Sequence, residues 1–176
     1  MTGVGDSIRK YASGALRPAW GESETPYSPL WHYKWDKTYD ALKNLAELDS
    51  SPFDDVAMEY NDPTTGRPVL RTMTCWVQLI RPGVRTKAHR HTSSKVYQVF
   101  RGEGYSVIDG QRFDWSEGDF FVVPSWAWHE HAADPGREAI LFSIQDTPIM
   151  KALSLYREEP YTEHAGHQPV TSHFGG

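Results

Sequence analysis

Four histidines in two pairs carry the most distinctive chemistry in this chain. His89 and His91, and later His129 and His131, each repeat at i, i+2. Side chains of a β-strand alternate between faces, so the members of a pair point the same way and can share one ion. Pro82-Gly83-Val84-Arg85-Thr86-Lys87-Ala88 leads into the first pair. Gly118-Asp119, the apolar run Phe120 to Val123 and Pro124 lead into the second. Imidazole suits a borderline metal such as iron, zinc, copper or nickel, and three neutral nitrogens on one side leave the opposite positions open to substrate or oxygen. The plainer reading is that these histidines cap strands or line a dry barrel.

The elements that would position them are mostly strands. Residues 70–81 alternate, with Thr74, Trp76, Gln78 and Ile80 on one face and Cys75, Val77 and Leu79 on the other. Residues 95–101, 105–108, 111–115, 120–123 and 139–145 are further strands, with Asp109-Gly110 as a two-residue hairpin signal. Before them, Trp35, Tyr39, Leu42, Leu45 and Ala46 fall at helical spacing, with Asp36 placed to cap the first turn. Residues 56–60 read as a short strand. Thr147-Pro148 can start a second helix through Ile149, Met150, Leu153 and Leu155, with Arg157 near its end. Turn residues between evenly spaced strands, without alternating long helices, favour an all-β barrel or sandwich.

Composition sets limits on partners. At 176 residues the chain fits one domain with a real core, and a net charge of −5 with pI near 5.9 offers no basic stripe for nucleic acid or an anionic membrane. The single Cys75 precludes an internal disulfide framework. No apolar run reaches spanning length and no secretory leader pattern opens the chain, so a cytoplasmic protein is expected.

Gly83, His89-x-His91 and Gly102, then Gly118, Pro124 and His129, together resemble the two signature motifs of the cupin superfamily. That resemblance implies a small antiparallel jelly-roll barrel with the metal inside. More narrowly, His89-Arg90-His91-Thr92-Ser93-Ser94, Gly102-Glu103-Gly104 and Pro124-Ser125-Trp126-Ala127-Trp128-His129-Glu130-His131 resemble the gentisate 1,2-dioxygenase family, which also covers salicylate and 1-hydroxy-2-naphthoate dioxygenases. The likeness runs from about Leu30 to Glu159. The expected organisation is an N-terminal arm (1–30), a single cupin domain with its preceding helix (31–159) and a flexible tail (160–176). Members of the family are usually bicupins, whose catalytic half holds Fe(II) on three histidines and inserts both oxygen atoms into the ring beside the carboxylate. Lys95-Val96-Tyr97-Gln98-Val99 and Asn61-Asp62-Pro63 are more similar to the second, C-terminal cupin. A homodimer or higher oligomer, or a partner cupin chain, would recreate the pair.

Carried over position by position, the resemblance puts the metal ligands on His89, His91 and His129, a catalytic histidine beside the substrate on His131, and an active-site glutamine on Gln78. The implied cofactor is Fe(II), or another divalent transition metal, and the implied reactants are a small aromatic hydroxy-acid and O2. Departures accompany the matches. The arginine that grips the substrate carboxylate, six residues after the second ligand, is here Tyr97, and a phenol cannot replace a bidentate guanidinium–carboxylate pair. A tryptophan becomes Thr74 and an aspartate Ser143, while Lys95 and Val96 occupy the place of the usual cupin glutamate. Tyr97 is either a site wall or a packed residue. Trp128 and Trp126 could stack an aromatic substrate, although tryptophans entering a barrel more often pack in a core or interface. Arg85, Arg90 and Arg101 are candidate replacements for the missing cation, with Arg90 and Glu130 facing outward by the period-two rule. His164, His167 and His173 read as surface residues. Two function classes follow: an Fe(II) ring-cleaving dioxygenase, or a non-catalytic or partner-dependent cupin half with a binding or assembly role.

Overall fold

The computed structural model describes residues 32–63 and 65–174, and the expected arm lies outside them. Helix α1 (Trp35–Leu48) is followed by β1 (Val56–Glu59), β2 (Thr74–Ile80), β3 (His89–His91), β4 (Lys95–Arg101), β5 (Glu103–Ile108) and β6 (Gln111–Ser116). Then come β7 (Phe120–Val123), β8 (His129–Ala133), β9 (Ala139–Gln145), helix α2 (Thr147–Ala152), β10 (Glu158–Pro160) and β11 (Ser172–His173). They form two sheets, one ordered β1-β2-β9-β4-β7 and the other β10-β3-β8-β5-β6-β11. All pairings are antiparallel except β11 with β6.

The interior between the sheets is filled by the inward parity of each strand: Ile80, Tyr97, Val99, Trp115, Phe121, Val123, Ala133, Ala139 and Leu141. The opposite parity of β2 and β9 is covered by α1. Leu42, fully buried, packs on Val56, Val77, Leu79 and Ile140, with Trp35, Tyr39, Leu45 and Ala46 flanking it. Burying each such aliphatic side chain stabilises by roughly 1.5–3 kcal/mol, more than helix propensity supplies, so the stripe and not the cap holds α1 in place. The cap is Lys34, with no side-chain bond, and Asp36 lies inside the first turn, where it complements the helix dipole.

Two tight turns follow the sequence closely. Asp109 and Gly110 have φ of 46° and 79°, the left-handed pair that a two-residue hairpin needs. Gly102 has φ of 92°, and a Cβ there would stand 2.6 Å from the Glu138 carbonyl oxygen, so β4 can turn into β5 against β9 only at glycine. Other boundaries differ from expectation. β2 begins at Thr74, because residues 69–72 follow the Asn61–Pro68 bridge as bends, and α2 stops at Ala152. The expected flexible tail is instead built into the second sheet. β10 pairs with β3, β11 pairs with β6, and Gln168 is buried within the segment joining them. That segment is held by scattered backbone and side-chain bonds to β3, β5, β6 and β8, a pattern with no sequence period. Among the described residues no helix is long and apolar enough to cross a membrane.

Candidate metal centre

The two histidine pairs meet because β3 and β8 are neighbours and their register sets His89 opposite His129. His91 shares the face of His89, so three rings converge, with centroid separations of 4.3 Å for His89–His129, 4.8 Å for His91–His129 and 5.5 Å for His89–His91. One nitrogen from each lies within 4.8 Å of the others, and all three residues are buried. Two of the rings are tied to backbone on their other side. His91 Nδ1–H donates to the Ser93 carbonyl at 2.8 Å and His129 Nδ1–H donates to the Ala127 carbonyl at 2.9 Å. That anchoring fixes both rings with the remaining nitrogen as a lone pair. His89 Nδ1, His91 Nε2 and His129 Nε2 are buried without a protein partner.

Burial, then the positive charge of Lys95, lowers the pKa of His89 and of His91 to about 3. His129 is pushed well below the ordinary histidine range by burial and by the neighbouring rings and Lys95. Neutral imidazoles with unshared, unpartnered nitrogens are the donor set of a divalent transition metal, and the residues present fit such an ion.

His131 stands apart from this trio. In the antiparallel register it lies beyond His89, away from His91, and 5.8 Å from His129 between ring centroids. Its Nδ1 bonds Ser106 Oγ at 2.7 Å, and that hydroxyl also accepts the Trp115 indole N–H. Nε2 is left buried without a partner. Tyr97 packs edge-on to His131 at 4.9 Å and stacks on Phe121 at 4.9 Å, at 2% exposure, so it forms a wall beside His131. Gln78 faces the interior, where its Nε2 donates to the Asp54 carbonyl at 2.8 Å. It therefore props the 52–54 turn, which carries Phe53 to within 5.2 Å of the His89 ring.

Trp128 does not face the histidines. It stacks on the Arg90 guanidinium, which lies 4.4 Å from both the Trp126 and Trp128 rings, and Tyr161 packs edge-on at 5.0 Å. Arg90 is the outward residue between two inward histidines and pairs with Glu159, so Trp128 belongs to the outer face by the same alternation. The other candidate cations are also engaged elsewhere. Arg85 makes two bonds to Glu130, and Arg101 lies 3.8 Å from Glu138. Glu130 does turn away from the metal ligands, yet it is buried, because Arg85, His167 and Gln168 close over it. His167 is thus a structural partner of Glu130 and no ligand.

Three residues near the site carried weak sequence signals. Tyr156 stacks on His91 at 6.5 Å, but nothing periodic marks it. Lys95 shares the inward parity of Tyr97, a signal present in the strand pattern, and it is buried, as is Gln145 at the end of β9.

A cupin domain profile matches residues 76–145, the span that holds His89, His91, His129 and His131. The chain is a cupin. It is 41% identical to the 5-aminosalicylate 1,2-dioxygenase of Comamonas over 96% of this chain and 46% of that one. It is 35% identical to a gentisate 1,2-dioxygenase of Streptomyces over 85% of this chain and 42% of the relative. The crystal structure of salicylate 1,2-dioxygenase from Pseudaminobacter salicylatoxidans superposes with a TM-score of 0.71 at 34% identity, covering 86% of this cupin and 45% of that chain. This cupin spans less than half the length of these relatives.

Proposed function

We propose that this cupin is an Fe(II)-dependent ring-cleaving dioxygenase of a small hydroxylated aromatic acid, working in the cytoplasm. The observation that carries the reading is the set of three converging, buried imidazoles, each with a nitrogen left without a protein partner, two of them fixed from behind by a backbone carbonyl. His89, His91 and His129 would hold the ion. When bound, Fe(II) supplies redox chemistry with dioxygen and a positive charge for anionic oxygens, undiminished by any carboxylate ligand.

The rest is done by this chain's own residues. His131 Nε2, neutral and unpartnered, is the group placed to take or hold the proton of a substrate hydroxyl, and Ser106 fixes its orientation. Tyr97, Phe121 and Trp115 exclude water behind it, which strengthens each polar contact in the site. Phe53 and Tyr156 flank the ligands. The named activities of the relatives, on 5-aminosalicylate and gentisate, define the substrates to try first.

The test is oxygen uptake and ring-opened product absorbance from an anaerobically iron-loaded sample offered gentisate, salicylate, 5-aminosalicylate and 1-hydroxy-2-naphthoate in turn. Substrate-dependent uptake with at least one of them is expected. Verified iron content with no turnover on any would overturn the reading in favour of a non-catalytic cupin.

A further inference from the structure

Lys95 is the residue the site description leaves without a role. It points into the barrel at 3% exposure, on the parity of Tyr97 and Val99. Its register partner on β9 is Gln145, which in turn faces Thr74 on β2. One row across the sheet therefore carries Thr74, Gln145 and Lys95, all turned inward and all buried. Side chains directly opposite on neighbouring strands stand about 5 Å apart at Cβ, so Lys95 and Gln145 lie side by side.

Gln145 has a donor without an acceptor, and Lys95 has no carboxylate at contact distance. Among the described residues no carboxylate forms an ion pair with Lys95, whose ammonium stands 5.2 Å from the Trp76 ring centroid and 5.9 Å from that of Tyr97, with Asp54 and Glu158 acting on it only at longer range. The Gln145 Oε1 accepts from the Thr147 hydroxyl at 2.8 Å, but its Nε2 is buried with no partner at all. A buried ammonium with no carboxylate at contact distance and a buried amide N–H without an acceptor both have donor capacity to spare, and adjacency makes one acceptor able to serve both.

The charge belongs to the same cavity as the histidines. Lys95 Nζ stands 5.9 Å from the Tyr97 ring centroid, and that ring packs 4.9 Å from the His131 ring. With a divalent ion on three neutral rings and a lysine beside it, the cavity is strongly positive, and only an anionic ligand balances it. A carboxylate offers two oxygens with about four lone-pair positions, enough for an ammonium and an amide N–H together.

We propose that Lys95 and Gln145 form the carboxylate anchor of the substrate site, taking over from β4 and β9 the task from which Arg85, Arg90 and Arg101 are all turned away. This rests on the reading of the chain as an aromatic-acid dioxygenase and adds the residues that make the acid group a requirement. A lysine gives a single point of charge where an arginine gives a fork, and the Gln145 amide restores the second point. Lys95 and Gln145 are thus substrate-binding residues, distinct from the metal ligands.

The experiment compares salicylate with phenol, the same ring with and without the carboxylate, by calorimetry on the intact chain loaded with redox-inert Zn(II). Metal content is measured on every sample. The wild-type chain is expected to favour salicylate. Lys95→Met, which keeps the volume and removes the charge, should keep its metal and lose salicylate affinity roughly ten- to a hundredfold with phenol binding unchanged. Gln145→Leu should lose a smaller part of the same preference, roughly three- to tenfold, and serves where Lys95→Met fails to fold. A metal-loaded Lys95→Met that still prefers salicylate as strongly as wild type overturns the anchor and leaves the dioxygenase reading standing. Metal-loaded wild type that binds none of salicylate, gentisate, 5-aminosalicylate and 1-hydroxy-2-naphthoate overturns both.

Discussion

Each ligand histidine must be neutral and empty-handed, and both conditions are met by burial more than by any special partner. His89 and His91 have pKa values lowered to about 3 by burial and by Lys95, against 6.5 in the unfolded chain. Between those values the unfolded state binds more protons, so the contribution to stability is complete above pH 6.5 and is lost as pH falls towards 3. The urea midpoint of the metal-free protein should therefore fall steadily from pH 7 to pH 4. His91→Leu should flatten that slope, and a wild-type midpoint independent of pH over this range would contradict the burial account. A second expectation concerns His131, whose Nε2 is buried without a partner and lies outside the histidine trio. His131→Ala should retain its metal and lose turnover roughly a hundred- to ten-thousandfold, the usual worth of a general acid–base group. Loss of metal from this variant would instead make His131 a ligand. At this scale the sequence was informative where spacing and chemistry coincide, as in the two histidine pairs. Lys95 was visible only as a missing glutamate, although strand parity already pointed it inward. Trp128 was misplaced because its side is decided by Arg90 stacking outside the sheet, a contact that no spacing announces.

The strands were legible because a period of two, turn glycines and Asp109-Gly110 are local signals, and local signals survive into the fold. The segment after Pro160 was not, since it is held by single bonds to distant backbone. Gln168 donates from Nε2 to the Val107 carbonyl at 2.8 Å and accepts at Oε1 from Gly110 N–H at 2.9 Å, while its own N–H meets Glu130 at 2.8 Å. Removing that side chain strands a buried donor and a buried acceptor. Gln168→Ala should destabilise by about 2–3 kcal/mol in urea unfolding, and a loss below about 0.5 kcal/mol would show that the segment is only draped over the sheet. The same covering explains how Glu130, outward by parity, comes to be fully buried, and it gives β8 two ordered faces: His129 and His131 within, Glu130 bonded by Arg85, His167 and Gln168 without.

Across the whole molecule the two faces of the first sheet are unequal. The inner face is packed, whereas Val96, Val122 and Ile144 share one outer row with exposures of 45%, 55% and 37%, and Phe120 in the next row reaches 68%. Contiguous apolar surface of this kind is seldom left bare, and closed symmetric pairing is the commonest way to cover it. A dimer or larger assembly is expected by light scattering at micromolar concentration, and Phe120→Glu should shift it towards monomer. A wild-type monomer would show that the row is simply tolerated. The resemblance carried by the histidine, glycine and proline positions reached this architecture before any coordinates did, because a jelly roll is specified by turns and alternation spread along the chain. It could not supply the carboxylate contact, which depends on two strands distant in sequence lying side by side. Everything proposed for this cupin depends on the convergence of His89, His91 and His129, so the most direct measurement is metal content after anaerobic iron loading and desalting. About one ion per chain is expected for the wild type, with near-complete loss in His89→Ala, His91→Ala and His129→Ala. A folded wild-type chain with negligible iron, or alanine variants that keep it, would contradict the metal centre itself.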